Sequence, residues 1–231
     1  MQIGTENGFV LSYEISAHPT DTRTLLPHLQ SFLTHYGRSP TQVIADKGYG
    51  SYENYRELEN RNIQALIKYP HRDQEQKKRS KRYRYRSWRF SYDEQHDQLQ
   101  CPEGKRLSFL HEAKRTNYDK SAQETVRIYQ CDSCHQCPQR KQCTDRPFRR
   151  VELNPDRLRL YRKARDRLKT EEGWQLYRAR GMEVETVFGQ IKGNIGYRRF
   201  LTWGQQNTSC EWGLHMIGYN CRRLAARLSC G

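Results

Sequence analysis

Two acidic residues sit where a metal-dependent centre could hold a divalent cation. Asp46 directly follows the short apolar run Val43-Ile44-Ala45 and precedes Lys47-Gly48-Tyr49-Gly50. An acid at the carboxyl end of a buried strand lies where open α/β sheets place their ligands. The glycines let backbone come close to a bound group. A carboxylate there is a hard oxygen donor suited to Mg²⁺, although the position equally suits an ordinary turn Asp. The second acid belongs to a helical pattern. Val184, Val187, Phe188 and Ile191 follow i, i+3, i+4, i+7 and form one apolar stripe. Glu185 lies about 100° from Val184 at helical pitch, on the border of that stripe, with Gly189 and Lys192 on its own face. An acid at the core edge with a Lys beyond it suits a metal facing a phosphate. Glu183 borders the stripe on its other side. Periodicity does not choose between the two glutamates, nor between a metal ligand and a solvated helix edge.

Cysteines supply a second candidate chemistry. Cys131, Cys134, Cys137 and Cys143 form C-x₂-C-x₂-C-x₅-C, with Cys101 upstream. Short spacings let one turn present several thiolates to one ion, and a tetrahedral set of cysteines suits structural Zn²⁺. The last gap departs from the ferredoxin-type run, which argues against an iron–sulfur cluster. Which four of the five coordinate stays open, His135 could substitute, and reduced cysteines that ligate nothing are the alternative. Cys210, Cys221 and Cys230 lie on or beside a helical pattern and read as packing residues. No apolar run approaches the roughly 20 residues of a membrane span, and no signal peptide opens the chain. The expected address is therefore cytoplasmic, with the cysteines reduced.

Charge points to a polyanion. The 231 residues carry 41 Lys and Arg against 26 Asp and Glu, a formal net charge of +15. Neutralising phosphates releases counterions, so a balance this basic favours nucleic acid. An acidic lipid surface would need a basic amphipathic helix as anchor, and no clean one is present. The run Lys77–Arg89 holds Arg82, Arg84 and Arg86 among its basic residues and no acid, interleaved with Tyr83, Tyr85 and Trp88. Arginines pair with phosphates while aromatics stack on bases, and a disordered charged loop has the same composition.

The elements that must position these groups alternate. Phe9–Ile15 predicts a strand, and Asn7-Gly8 a hairpin turn towards Ile3. Thr20 or Asp21 caps a helix that Gly37 ends. Val43–Ala45 and Ala65–Ile67 predict short strands around a helix capped by Ser51. The pattern predicts an α/β fold: residues 1–67 are a first core segment, residues 68–152 a basic, Cys-rich and partly loop-like insertion, and residues 153–231 a helical region carrying Glu185. Weak strand signals occur at Trp88–Tyr92 and Val126–Tyr129. Helices are expected over 155–180, 182–193 and 211–228.

Taken together the motifs resemble those of DDE-type transposases of bacterial insertion sequences. Ala45-Asp46-Lys47-Gly48-Tyr49-Gly50-Ser51 is similar to the segment around the family's second catalytic Asp. Val184-Glu185-Thr186-Val187-Phe188-Gly189-Gln190-Ile191-Lys192 is similar to the segment around its catalytic Glu. His18-Pro19-Thr20-Asp21-Thr22, Cys101-Pro102-Glu103-Gly104, the Cys cluster and Gly196-Tyr197-Arg198-Arg199-Phe200 fit one subgroup. The resemblance implies an RNase H-like mixed sheet flanked by helices, interrupted by the Cys-rich insertion and followed by a helical C-terminal region. It implies catalysis by three carboxylates with Mg²⁺ or Mn²⁺, acting on double-stranded DNA at insertion-sequence ends and targets, in a homo-oligomer associated with the nucleoid when bound. It favours Glu185 over Glu183. It also likens Tyr177, Arg180 and Lys192 to residues that touch DNA phosphates, with Arg180 to Glu185 one residue longer than usual. The family's first catalytic Asp lies upstream of anything here, and Asp21 matches a different position. The chain is therefore expected to be truncated and unable alone to cleave or join DNA. The competing expectation is a non-catalytic, zinc-stabilised DNA-binding remnant of such an enzyme.

Overall fold

Asn7 and Gly8 both take positive φ, 54° and 80°, and turn Gln2–Glu6 (β1) back onto Phe9–Glu14 (β2) as an antiparallel hairpin. The computed structural model describes residues 1–18, 20–69, 83–116 and 123–229. They fall into two units, residues 1–69 with 164–231 and residues 70–163.

In the first unit a single 3₁₀ turn, Asp21–Arg23, leads into helix α1, Leu25–Tyr36. The N-cap is Thr24, not Thr20 or Asp21, and it makes no side-chain cap bond. Gly37 ends the helix at φ 65°, left-handed as a glycine C-cap requires. Gln42–Ala45 (β3) and Gln64–Ile67 (β4) pair in parallel around helix α2, Tyr52–Asn60. The Ser51 hydroxyl accepts the Asn54 N–H at 3.2 Å, so the expected cap forms.

Sequence predicted one mixed sheet. The fold is mixed α/β, but the hairpin and the parallel pair are separate two-stranded sheets among the described residues. The reason is that no described strand lies beside both: β1 pairs only with β2 and β3 only with β4. Both pairs nevertheless rest on one helix, α5 (Glu171–Gly189), which contacts β1, β3 and β4. The last helix, α6 (Gln205–Ser229), covers β2. There the Asn220 amide accepts from Val10 N–H at 2.9 Å and donates to Val10 C=O at 2.8 Å. Val10, Val187, Ile191, Trp212, Met216 and Tyr219 form the core between hairpin and helices. Val187, Ile191 and Trp212 are fully buried, so the stripe read from the sequence faces inward.

The helix boundaries differ from expectation. Pro155–Lys169 (α4) stops at Thr170, whose hydroxyl accepts the Gly173 N–H at 3.0 Å and opens α5. Helix α5 then continues unbroken past Met182 and passes at Gln190–Asn194 into a π-helical turn. The break falls at Thr170 because a side chain at Gly173 would strike the Arg167 carbonyl.

The second unit is more regular than its sequence suggests, and the weak strand signals at Trp88–Tyr92 and Val126–Tyr129 fall on two of its strands. It holds a five-stranded antiparallel sheet, Ser91–Asp93 (β5), Gln98–Gln100 (β6), Arg106–Thr116 (β7), Gln123–Cys131 (β8) and Arg150–Leu153 (β9), in that spatial order. A short helix, Arg140–Cys143 (α3), lies between β8 and β9. Leu99, Leu107, Tyr129, Cys131 and Val151 form its core. Asp97, at φ 49° in the β5–β6 turn, accepts from Tyr92 (2.8 Å), Tyr129 (2.5 Å) and Arg127 (3.1 Å).

Candidate active site around Asp46

Asp46 stands at the carboxyl end of β3, and its peptide carbonyl accepts from Tyr49 N–H at 3.0 Å as the next turn starts. The loop after it is compact. A side chain at Gly50 would meet the Lys68 carbonyl at 2.7 Å, and one at Gly48 the Asp21 carboxylate at 2.9 Å. The loop glycines thus permit close approach, as predicted, though what approaches is the protein's own backbone and Asp21.

Helix α5 reaches this loop. The Tyr177 hydroxyl donates to Asp46 Oδ1 at 3.1 Å, and Arg180 Nη2 lies 3.8 Å from the same oxygen. Arg180 also stacks over the Tyr177 ring, 5.3 Å from its centroid. Lys68, one residue beyond β4, adds its positive charge. Partial burial pushes the Asp46 carboxyl up, but the Lys47 backbone N–H, the Tyr177 hydroxyl, Arg180 and Lys68 together bring it below the usual range. Asp46 is therefore ionised at neutral pH, and its side chain remains 60% exposed. Tyr49 beside it is pushed up to about 12, first by burial and then by Asp21 and Asp46.

Glu185 lies eight residues beyond Tyr177 on α5, about 12 Å along the axis and about 80° round it. It is exposed. Its neighbour on the helix is Gly181, where an added Cβ would stand 3.6 Å from Glu185 Oε1; Gly189 faces open space. Helical side chains lean towards the N-terminus, so the clearance sits one turn before the acid rather than after it. Lys192 falls in the π-helical turn and rests over the Phe188 ring at 5.2 Å. The wider turn moves it off the face that uniform α-helical pitch assigned.

The structure thus brings Asp46, Tyr177 and Arg180 into contact, with Glu185 further along α5 and off that face, and Lys192 displaced. Lys68 was missed, though parallel pairing signals it: Ala45 is opposite Ile67, so Asp46 and Lys68 are the next residues in register. Of the basic run, Arg82 lies outside the described residues. Arg84 pairs with Glu103 at 2.7 Å in the second unit, and Arg86 is exposed there.

Cys101, Cys131, Cys134, Cys137 and Cys143 line one cavity of the second unit, and all are unpaired. Among the described residues no three His, Cys, Asp or Glu side chains form a ready-made metal site. No helix there is long and apolar enough to cross a membrane.

A family model described as a transposase DDE domain matches residues 100–225, more than half of the chain. The chain belongs to the transposase DDE domain family. The matched stretch includes the cysteine cavity, Tyr177, Arg180, Glu185 and Lys192; Asp46 precedes it. No curated protein and no solved structure matches the chain.

Proposed function

We propose that this chain carries part of the metal-dependent phosphoryl-transfer centre of a DNA transposase, acting at insertion-sequence ends with Asp46 and Glu185 as metal-binding carboxylates. The observation that supports the reading is the grip of helix α5 on Asp46 through Tyr177 and Arg180, with Glu185 about two turns further along the same helix. Tyr177 fixes one oxygen of Asp46, and 60% exposure leaves the carboxylate accessible. Arg180 adds positive charge beside that carboxylate, its Nη2 3.8 Å from Asp46 Oδ1. The donor set fits Mg²⁺ or Mn²⁺, which prefer oxygen. When bound, such ions activate the attacking hydroxyl and steady the leaving oxygen.

Two carboxylates are fewer than the family resemblance implies. Among the described residues no strand pairs with the second side of β1 or of β3, both carried on α5, which supports an RNase H-like reading in which a further strand lies between them and brings the third acid. On this reading the chain alone binds DNA and Mn²⁺ but neither cleaves nor joins strands.

The test is Mn²⁺ binding by electron paramagnetic resonance, with DNA binding measured in parallel. Asp46→Asn and Glu185→Gln should each weaken Mn²⁺ binding at least several-fold and leave DNA binding without metal unchanged. Mn²⁺ binding that ignores both substitutions refutes the carboxylate centre and favours a DNA-binding remnant. Metal-dependent strand transfer by the purified chain refutes the need for a third acid.

A further inference from the structure

The cysteine cavity belongs to the second unit and carries its own argument. Its wall holds all five sulfur-bearing residues together with Lys105, Arg140 and Arg149. His135 is exposed and does not line it, so the substitution left open by spacing is removed.

Two of the sulfurs already accept backbone N–H groups. Lys105 N–H donates to Cys101 Sγ at 3.3 Å, and Arg149 N–H to Cys134 Sγ at 3.4 Å. The turn around Cys101 is folded for this. Cys101 N–H donates to the Lys105 carbonyl at 2.8 Å and Gly104 N–H to the Cys101 carbonyl at 2.9 Å, with Gly104 at φ 76°.

Arg149 gives the independent pointer. Its Nη1 donates to the Cys143 carbonyl at 3.4 Å and its Nη2 to the Tyr85 carbonyl at 3.2 Å. Its Nε is buried with no hydrogen-bond partner among the described residues. A half-buried guanidinium with one buried, unused donor, on the wall of a sulfur-lined cavity, calls for negative charge there. Four thiolates around one Zn²⁺ leave a net charge of −2, which the cavity's other charged residues, Lys105, Arg140 and Arg149 against Glu103, offset.

We propose that the cavity holds one Zn²⁺ as a tetrathiolate in which Cys101, from the β6–β7 turn, and Cys134 are two of the ligands and His135 takes no part. Binding converts four thiols to thiolates and releases four protons to solvent, with no change of oxidation state. Because the side chains do not meet on a ready-made centre, the ion itself draws them together. Ligation by Cys101 ties the β6–β7 turn to the segment between β8 and β9, two parts of the unit far apart in sequence.

The experiment uses the full chain, purified without chelators or a metal-binding tag, and measures zinc and iron by elemental analysis. About one zinc per chain is expected. Cys101→Ser and Cys134→Ser should each lose it, while His135→Ala keeps it. Metal-free wild-type chain titrated with Co²⁺ should show tetrahedral d–d bands and sulfur-to-cobalt charge transfer saturating at one equivalent. Should Cys101→Ser fail to fold, Cys101→His retains a ligand. It should bind cobalt with charge-transfer intensity reduced by about a quarter, one thiolate in four. Zinc well below one equivalent, iron in its place, full zinc in Cys101→Ser, or undiminished charge transfer in Cys101→His overturns the proposal.

Discussion

Gly50→Ala tests how the Asp46 loop is held. Gly50 has φ −80°, on the side every L-residue uses, so torsion does not demand a glycine. Contact does: an added Cβ would stand 2.7 Å from the Lys68 carbonyl and 3.2 Å from that of Lys47. Both are backbone atoms, so no rotamer relieves the clash, and the Lys68 peptide must retreat by about 0.5 Å. Overpacking of this kind costs ~1–3 kcal/mol, and the stiffer unfolded chain returns ~0.4–1 kcal/mol. A net loss of about 1–2 kcal/mol follows, a fall in Tm of roughly 2–8 °C for a chain of this size. Gly189→Ala is the contrasting case, because nothing lies within 4 Å of its added Cβ. It closes α5 and should gain up to about 1 kcal/mol from helix propensity. Urea denaturation followed by circular dichroism, with thermal melts, measures both. The reasoning fails if Gly50→Ala is as stable as the parent, or if both variants shift in the same direction.

Asp97→Ala strands the hydroxyl of fully buried Tyr129 and should cost about 1–3 kcal/mol; urea midpoints showing a loss under about 0.5 kcal/mol would exclude an anchoring role. Glu211 accepts from Thr202, Leu201 and Tyr197, and those bonds, the Thr202 hydroxyl first, lower its pKa to about 2. A carboxylate depressed on folding contributes stability that is fully present above its unfolded value and lost as pH falls through about 2. Amide exchange over residues 197–204 should therefore accelerate relative to unfolded-chain rates as pH drops from about 4 to about 2. Glu211→Gln should abolish that dependence, and an unaltered pH profile counts against the cap. Lys192→Ala and Arg86→Ala should each reduce the salt slope of DNA binding by about 0.9 where the residue contacts a phosphate; an unchanged slope in fluorescence anisotropy removes that residue from the interface.

The hairpin, the parallel pair and the apolar stripe of α5 were legible because each rests on local chemistry: two consecutive residues that tolerate positive φ, a Ser cap, a spacing of three and four. The sheet of the second unit was legible only in part: the signals at Trp88–Tyr92 and Val126–Tyr129 fall on β5 and β8, while β7 gave none. Along β7 the side chains are almost all exposed, so its sequence lacks the alternation that marks a half-buried strand, and only pairing with β8 over nine residue pairs reveals it. Leu224, about 120° round α6 from Trp212 at helical pitch, is 52% exposed. At the site, Asp46 stood out by its place after a strand, whereas the grip of Tyr177 and Arg180 on it spans more than 130 residues of sequence and depends on how α5 packs. The displacement of Lys192 follows from a π-helical turn that no residue type announces. The unused Nε of Arg149 is a property of burial alone.

The Asn220 amide that takes up both the N–H and the C=O of Val10 has a consequence for how the protein meets other copies of itself. Side-chain caps of this kind close one flank of the hairpin to strand addition. The opposite flank, Gln2–Glu6, contains no proline or lysine, the residues that commonly blunt such an edge. Any growth of this sheet is therefore directional. Misassembly, domain swapping or fibril seeding by the hairpin would recruit chains along β1, and a lysine on that strand is the economical place to improve solubility without disturbing the helix that guards the other side.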